Sequence, residues 1–362
     1  MPDKPLRVAW FPRTADLAGN PYWSLLQQNL EASGITFADS HHSAFTQRRW
    51  LWGQRGRVQV LHFHFIQPHY AADERASWRR LRKFTLDLLL ARLLGYRLVW
   101  TMHDFLPTWP LSPAWVERLA RRIMAALAHD VIVHCEEGRR LLARHFGRRR
   151  RVWTLPHPVF PTPPSAAISR PAARAALGLP PAAFIVGFVG GIRPNKGIEQ
   201  LLAAFAAWGQ ADAWLLVAGR PWPPPAYVAA LHTQVATLPR VLFRPEEIPD
   251  EEMLLYVAAA DVMAFPFQRV LTSSTVIMAL AAGRAVIGPR LGCLAEVVGE
   301  DAGILYPPDD PHGLRHALQQ ARATDLDRLG TVGQQRVHAG SWRELAQATA
   351  RIYAGSGRPP RE

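Results

Sequence analysis

Residues 184–205 read Phe-Ile-Val-Gly-Phe-Val-Gly-Gly-Ile-Arg-Pro-Asn-Lys-Gly-Ile-Glu-Gln-Leu-Leu-Ala-Ala-Phe. The first six residues, Phe184–Val189, form a short apolar run, the mark of a strand covered on both faces. The pair Gly190–Gly191 ends it. From Gly197 to Trp208 apolar residues recur at helical spacing. A strand, a glycine turn and a helix make the opening of a βαβ unit, which implies parallel pairing and right-handed crossovers.

The same alternation extends in both directions. Toward the C-terminus, Trp214–Ala218, Val241–Phe243, Val262–Phe265, Ala285–Ile287 and Gly303–Tyr306 read as strands. Asp250–Ala259, Ser274–Ala282 and Ser341–Tyr353 read as helices. Toward the N-terminus, Leu6–Phe11, Val58–Phe65, Arg97–His103, Asp130–Cys135 and Val152–Leu155 read as strands. The helices between them are Pro21–Ser33, Asp73–Leu94, Pro113–Ala128 and Glu136–Phe146. Residues 156–181, rich in Pro, Ala and Ser, read as a connection ending in a short helix capped by Ser169. The expected class is α/β, with two doubly wound parallel-sheet domains over 1–160 and 161–340. A closing helix and tail occupy 341–362.

With 362 residues and 49% hydrophobic content, the chain suits two packed domains and excludes wholesale disorder. The formal net charge of +13 is carried almost entirely by arginine, since lysine occurs only at 4, 83 and 196. That excess favours an anionic partner. No recognition helix, RNA-binding or zinc signature appears, so nucleic acid is not the expected partner. Cys135 and Cys293 make no metal pattern and read as reduced core residues of a cytoplasmic protein. The N-terminus enters a strand at once, with no signal peptide in view. No stretch reaches the roughly 18 apolar residues that span a bilayer.

Open parallel sheets bind ligands at the carboxyl ends of their strands. Three sets of residues fall there. The first is Gly190, Gly191, Arg193 and Lys196: glycines let the backbone approach an anion, and two cations in the same turn suit a diphosphate. The turn lacks the ending of a Walker loop and the spacing of a dinucleotide fingerprint. The second is Thr272, Ser273, Ser274 and Thr275, four hydroxyls at a helix start; capping accounts for one of them, and an anion accounts for the rest.

The third set lies in the first half. His103 and Asp104 follow one strand, His62 and His64 end another, and the loop with Asn20 and Tyr22 follows the first. Asp104 is the candidate general base and His103 a hydrogen-bond partner for a sugar hydroxyl. Asn20, Tyr22 and His64 are candidate acceptor contacts. His62 and His64 point to one face of a strand without a clear third ligand, so no metal is expected. His62 and His64 also read as polar strand ends near solvent, and at least one of His134 and His157 as structural. A last feature is basic: Arg79, Arg80, Arg82 and Lys83; Arg118, Arg121 and Arg122; and Arg148 to Arg151. Interleaved with Trp50, Trp52, Trp78, Trp109 and Trp115, these clusters suit an anionic membrane face.

At these residues the chain resembles the GT-B glycosyltransferases, specifically their large family 4-like group. The pieces are FVGGIRPNKGIEQLLAAF, WLLVAGR, VLFRPEEIPDEEMLLYVAAADVMAFPF, MALAAGRAVIG, GCLAEVV and GSWRELAQATARIY. The resemblance covers most of the chain. It implies two Rossmann-like domains facing a central cleft, with the donor diphosphate held by Arg193, Lys196 and Gly190–Gly191. The region of Arg244 resembles the family's base-binding loop. One departure stands out: where the family carries two glutamates around the donor, this chain has Val270 and Met278, and beside them Leu271-Thr272-Ser273-Ser274.

That departure, with Gly19-Asn20-Pro21-Tyr22 and Thr101-Met102-His103-Asp104-Phe105-Leu106-Pro107, resembles a divergent branch of bacterial exopolysaccharide β-mannosyltransferases of the xanthan type. The resemblance implies transfer of a hexose, mannose from GDP-mannose, to a glycan or polyprenyl-linked acceptor. UDP-sugars are the second donor class, and no separate cofactor is implied. If the reaction inverts, Asp104 is the base; if it retains, His103 takes the interest. The expected location is the cytoplasmic face of the plasma membrane. Two alternatives compete. Loss of both glutamates suits an inactive scaffold that binds nucleotide sugars, and a nucleotide-sugar epimerase shares the two-domain plan.

Overall fold

The computed structural model describes residues 5–13, 21–39, 48–107, 111–161 and 168–356. The chain divides into two compact units: Met1–Pro158 with Gly340–Glu362, and Val159–Ala339.

In the first unit six parallel strands form one sheet: β1 (Arg7–Phe11), β2 (Thr36–Phe37), β3 (Val60–Phe63), β4 (Arg97–Thr101), β5 (Asp130–Val133) and β6 (Val152–Thr154). Their order is β2-β1-β3-β4-β5-β6. The chain leaves β1 toward one edge and returns at β3 on the other side, so the order reverses between β1 and β3. Helices Pro21–Glu31, Glu74–Leu93, Ala114–Leu127 and Glu136–Phe146 cover the sheet, and Trp342–Tyr353 packs on the first of them. The last helix is set by a capping box: Ser341 Oγ accepts from the Glu344 backbone while the Glu344 side chain accepts from the Ser341 backbone.

The second unit holds β7 (Phe184–Val189), β8 (Ala213–Ala218), β9 (Val241–Arg244), β10 (Val262–Ala264), β11 (Ala285–Pro289) and β12 (Gly303–Tyr306). All pairs are parallel, in the order β12-β11-β10-β7-β8-β9. Here the reversal lies between β7 and β10. Nearly every strand residue of β7, β8, β10 and β11 is buried, as a sheet sandwiched between helices requires.

The expected strands lie within a few residues of the observed ones. Several elements escaped the sequence: the two-residue β2, and the helices Arg48–Gln54, Pro225–Ala236, Gly313–Arg322 and Leu326–Val337. Two expectations are corrected. Neither cysteine is a free thiol; both are buried, as expected, but burial does not fix oxidation state. His62 and His64 are not polar ends near solvent: they are 0% and 1% exposed, because helices close over the sheet on their side.

Candidate functional site

In the second unit, the turn after β7 and the loop after β10 meet where the strand order reverses. The crevice at such a reversal is where open α/β sheets bind ligands. Gly190 adopts φ 141°, open only to glycine, and a Cβ there would stand 3.3 Å from Thr275 Cγ2. Gly190 and Thr275 are therefore in close approach. Pro194–Lys196 forms one 3-10 turn that feeds the helix Ile198–Trp208 through Gly197. A Cβ on Gly197 would meet the Pro266 carbonyl oxygen at 1.9 Å, so only glycine lets the two loops touch.

Asn195 ties them. Its Nδ2 donates to the Arg269 carbonyl at 3.3 Å, and its own carbonyl accepts from Gln268 N at 3.0 Å. Its Oδ1 is buried and has no hydrogen-bond partner among the described residues.

Ser273 is the N-cap of the helix Ser274–Ala281, yet its hydroxyl makes no cap bond; it lies 3.0 Å from Thr275 Oγ1. The first-turn N–H groups are thus left without a side-chain acceptor, at the positive end of the helix dipole. Thr272 Oγ1 turns the other way, 3.5 Å from Cys293 Sγ. Lys196 Nζ stands 4.1 Å from the centre of the Phe267 ring and Arg193 Cζ 5.8 Å from that of Trp222. The glycine turn, the helix start at Ser274 and the turn carrying Arg193 and Lys196 thus lie together where the strand order reverses. Val270 and Met278 pack partly buried against the core, as apolar residues must.

Arg244 ends β9, two strands from β7. Its carbonyl accepts from Gly219 N at 3.0 Å, and its side chain is exposed. Two residues of this site were missed in the sequence. Asn195 was read only as part of a turn. Trp222 is 41% exposed and lies against Gly191, where a Cβ would stand 3.0 Å from Trp222 Nε1; Arg220 Cζ is 5.4 Å from its ring. The signal for Trp222 was a tryptophan between prolines just after a strand.

In the first unit the reversal between β1 and β3 gathers aromatic rings and histidines. His64 Nδ1 lies 3.2 Å from His103 Nε2. Tyr22, only 3% exposed, has its ring among His103, His134, His157 and Trp342, with centroids 5.1–5.7 Å away. Tyr22 and His64 are enclosed and pack on His103, which is half-buried; Asp104 follows it in the loop after β4. Asn20 lies outside the described residues.

Beneath His64 runs a chain of hydrogen bonds. Trp10 Nε1, a donor only, gives to Tyr353 Oη at 3.0 Å. Tyr353 Oη hydrogen-bonds His62 Nδ1 at 2.5 Å, and His62 Nε2 hydrogen-bonds Thr101 Oγ1 at 2.8 Å. Both nitrogens of His62 are committed. His134 Nδ1 donates to the Leu155 carbonyl at 2.8 Å, leaving Nε2 facing the Tyr22 hydroxyl at 3.5 Å. Burial, and then the neighbouring histidines, hold His64 and His103 well below the ordinary imidazole range. His103 is therefore neutral near pH 7 and suited to hydrogen bonding rather than to charge.

The basic clusters divide. Arg121 is buried, donating to Glu117 Oε2 at 2.9 Å and to the Tyr70 hydroxyl at 3.0 Å. Arg148 donates to the carbonyls of Ala125 and His129, and Arg151 pairs with Asp130 at 2.8 Å. These three are structural, which corrects their reading as surface charge. Arg79, Arg82, Arg118 and Arg122 are exposed, and Trp109 lies outside the described residues.

Residues 183–323, the strand-to-helix cradle and most of the second unit, match the family model "Glycosyl transferases group 1". A D-inositol 3-phosphate glycosyltransferase of Streptomyces bingchenggensis is 27% identical over 348 residues, covering 92% of this chain and 73% of the relative. One from Mycolicibacterium gilvum is 30% identical over 237 residues, 64% of this chain and 52% of the relative. This chain thus spans about half the length of the second relative. Among solved structures, sucrose-phosphate synthase of Thermosynechococcus elongatus superposes with a TM-score of 0.74 at 21% identity, covering 97% of this chain and 98% of that one. Anabaena Alr3699/HepE in complex with UDP gives 0.70 at 17%, covering 97% and 99%. The superpositions show the GT-B fold, and residues 183–323 are similar to the glycosyl transferases group 1.

Proposed function

We propose that this chain transfers a hexose from a nucleoside diphosphate sugar to a glycan or polyprenyl-linked acceptor. One observation carries the reading: the glycine turn after β7, the two cations Arg193 and Lys196, and the uncapped helix start at Ser274 meet at one reversal point. Such a cradle stabilises the leaving diphosphate in the transition state by fixed dipoles and charges, without a metal. Arg244 and Trp222 border it and suit the nucleoside. In the first unit, neutral His103 hydrogen-bonds an acceptor or donor hydroxyl, and Asp104 takes the acceptor proton if the reaction inverts.

GDP-mannose is the donor the likeness to exopolysaccharide mannosyltransferases supports. UDP-glucose is its rival, since Anabaena Alr3699/HepE was solved with that ligand. A second reading, an inactive nucleotide-sugar scaffold, draws on Val270 and Met278 in place of acidic residues. Release of nucleoside diphosphate from GDP-mannose and UDP-glucose, with and without a polyprenyl-linked oligosaccharide, separates the readings. Acceptor-dependent release is expected, falling about 100-fold in Lys196→Ala, the effect of removing one donor to a developing anion. Asp104→Asn is expected to lower it as strongly. Tight nucleotide binding without turnover favours the scaffold.

A further inference from the structure

On the helix Glu74–Leu93, seven of the exposed side chains form one stripe. At about 100° per residue, Arg75, Trp78, Arg79, Arg82, Leu86, Leu89 and Leu93 fall within an arc of about 100°. All seven are exposed, Leu93 by 83%, Leu86 by 53%, Trp78 by 42% and Leu89 by 41%. Leu81, Phe84, Leu88 and Ala91, on the other side, are buried in the first unit. A surface helix usually carries polar residues where this one carries leucine.

The stripe continues onto its neighbour. Trp78 and Trp115 have ring centroids 5.7 Å apart. Ser77 Oγ donates to Ser112 Oγ at 3.0 Å, which brings the 64%-exposed Leu111 alongside. Trp115, Arg118 and Arg122 share the exposed face of the helix Ala114–Leu127. The acids go under the face. Asp87 is buried and held by Arg48 at 3.0 Å and Lys83 at 2.7 Å, and Glu117 is buried with Arg121.

Contiguous exposed apolar groups among positive charge mark an interaction site. A second copy of this chain would set arginine against arginine. Nucleic acid has no use for the leucines. An anionic lipid surface satisfies every part: phosphates for arginine, the headgroup boundary for tryptophan, acyl chains for leucine. Among the described residues no helix is long and apolar enough to cross a membrane, so the helix lies along the surface. We propose that the face built from Trp78, Leu86, Leu89, Leu93, Trp115 and the adjoining arginines seats the first unit on an anionic bilayer. This holds independently of donor and acceptor identity.

The test is co-sedimentation of the full chain with phosphatidylcholine vesicles, with and without 30 mol% phosphatidylglycerol as roughly the anionic load of such a surface. Binding is expected to the anionic vesicles only, and to be lost when salt rises to about 1 M, where screening shortens to about 3 Å. At about fivefold per basic residue, Arg79→Glu with Arg82→Glu should weaken it by at least ~25-fold. Trp78→Ser with Trp115→Ser should weaken it about tenfold or more. These residues are exposed, so the melting temperature and its rise with added nucleoside diphosphate should stay as in the parent. No sedimentation, or sedimentation indifferent to both double variants, overturns the proposal. So does a dimer in analytical ultracentrifugation that Trp78→Ser with Trp115→Ser dissolves.

Discussion

The two reversal points are built from the same topology and opposite materials. In the second unit the crevice between β7 and β10 is lined by glycines, hydroxyls and two cations, and its helix start is uncapped. In the first unit the crevice between β1 and β3 is filled by Trp10, Tyr22, His62, His64 and Trp23, almost wholly buried. One turns glycine backbone and an uncapped helix start into the crevice; the other is a packed floor with one imidazole, His103, at its edge. A shared fold thus supplies a place, and the local residues decide whether it binds charge or shapes a neutral surface.

The sharpest way to break this contrast is at glycine. Gly197→Ala forces a Cβ to within 1.9 Å of the Pro266 carbonyl at φ 71°. It is expected to cost more than ~3 kcal/mol in urea unfolding and to abolish nucleotide binding. Gly147 has the same φ of 71° at the end of the helix Glu136–Phe146, but a Cβ there meets nothing within 4 Å. Gly147→Ala should cost only about 1 kcal/mol. Equal costs would show that the close approach of the two loops is unimportant.

Acid provides the next contrast. Burial lowers His62 to about 3, His157 to about 3 and His134 to about 4. The unfolded chain protonates these groups near 6.5, so between pH 6.5 and about 4 it binds more protons than the folded one. Stability is therefore fully present above pH 6.5 and falls as the pH drops from there toward about 3, where His62 and His157 protonate in the folded chain. The second unit's histidines, 232, 312, 316 and 338, are exposed. Hydrogen exchange, corrected for intrinsic rates, should show the first unit losing protection first between pH 6.5 and 4.5. Earlier loss in the second unit would contradict the assignment.

A smaller effect than that of Gly197→Ala is expected for Tyr353→Phe. It leaves the Trp10 N–H and His62 Nδ1 without their shared hydroxyl, at a cost of about 1–3 kcal/mol in urea unfolding. No loss would show that the chain of bonds under His64 is incidental.

The strand and turn at 184–197 were legible because their signal is local. Phe184–Val189 and the turn after it carry their signal in consecutive residues, and the structure returns the strand with the same bounds. The nearness of Gly190 to Thr275 followed from topology, since β7 and β10 pair side by side. What stayed hidden depends on distant partners. The full burial of His62 comes from a tyrosine 291 positions away and a tryptophan held by the same hydroxyl, and no spacing reports that. Arg121 looked like one more surface charge until Glu117 and Tyr70 closed around it. Trp222 is at the cradle only because β8 lies beside β7.

The most direct test of the donor cradle is isothermal titration of GDP and UDP into the parent protein and into Lys196→Ala. The expected result is binding of one nucleoside diphosphate by the parent, weakened about tenfold or more in the variant, with the melting temperature of the free protein unchanged. Equal affinity in the variant, or no binding of either nucleotide by the folded parent, would contradict the placement of the diphosphate between β7 and β10.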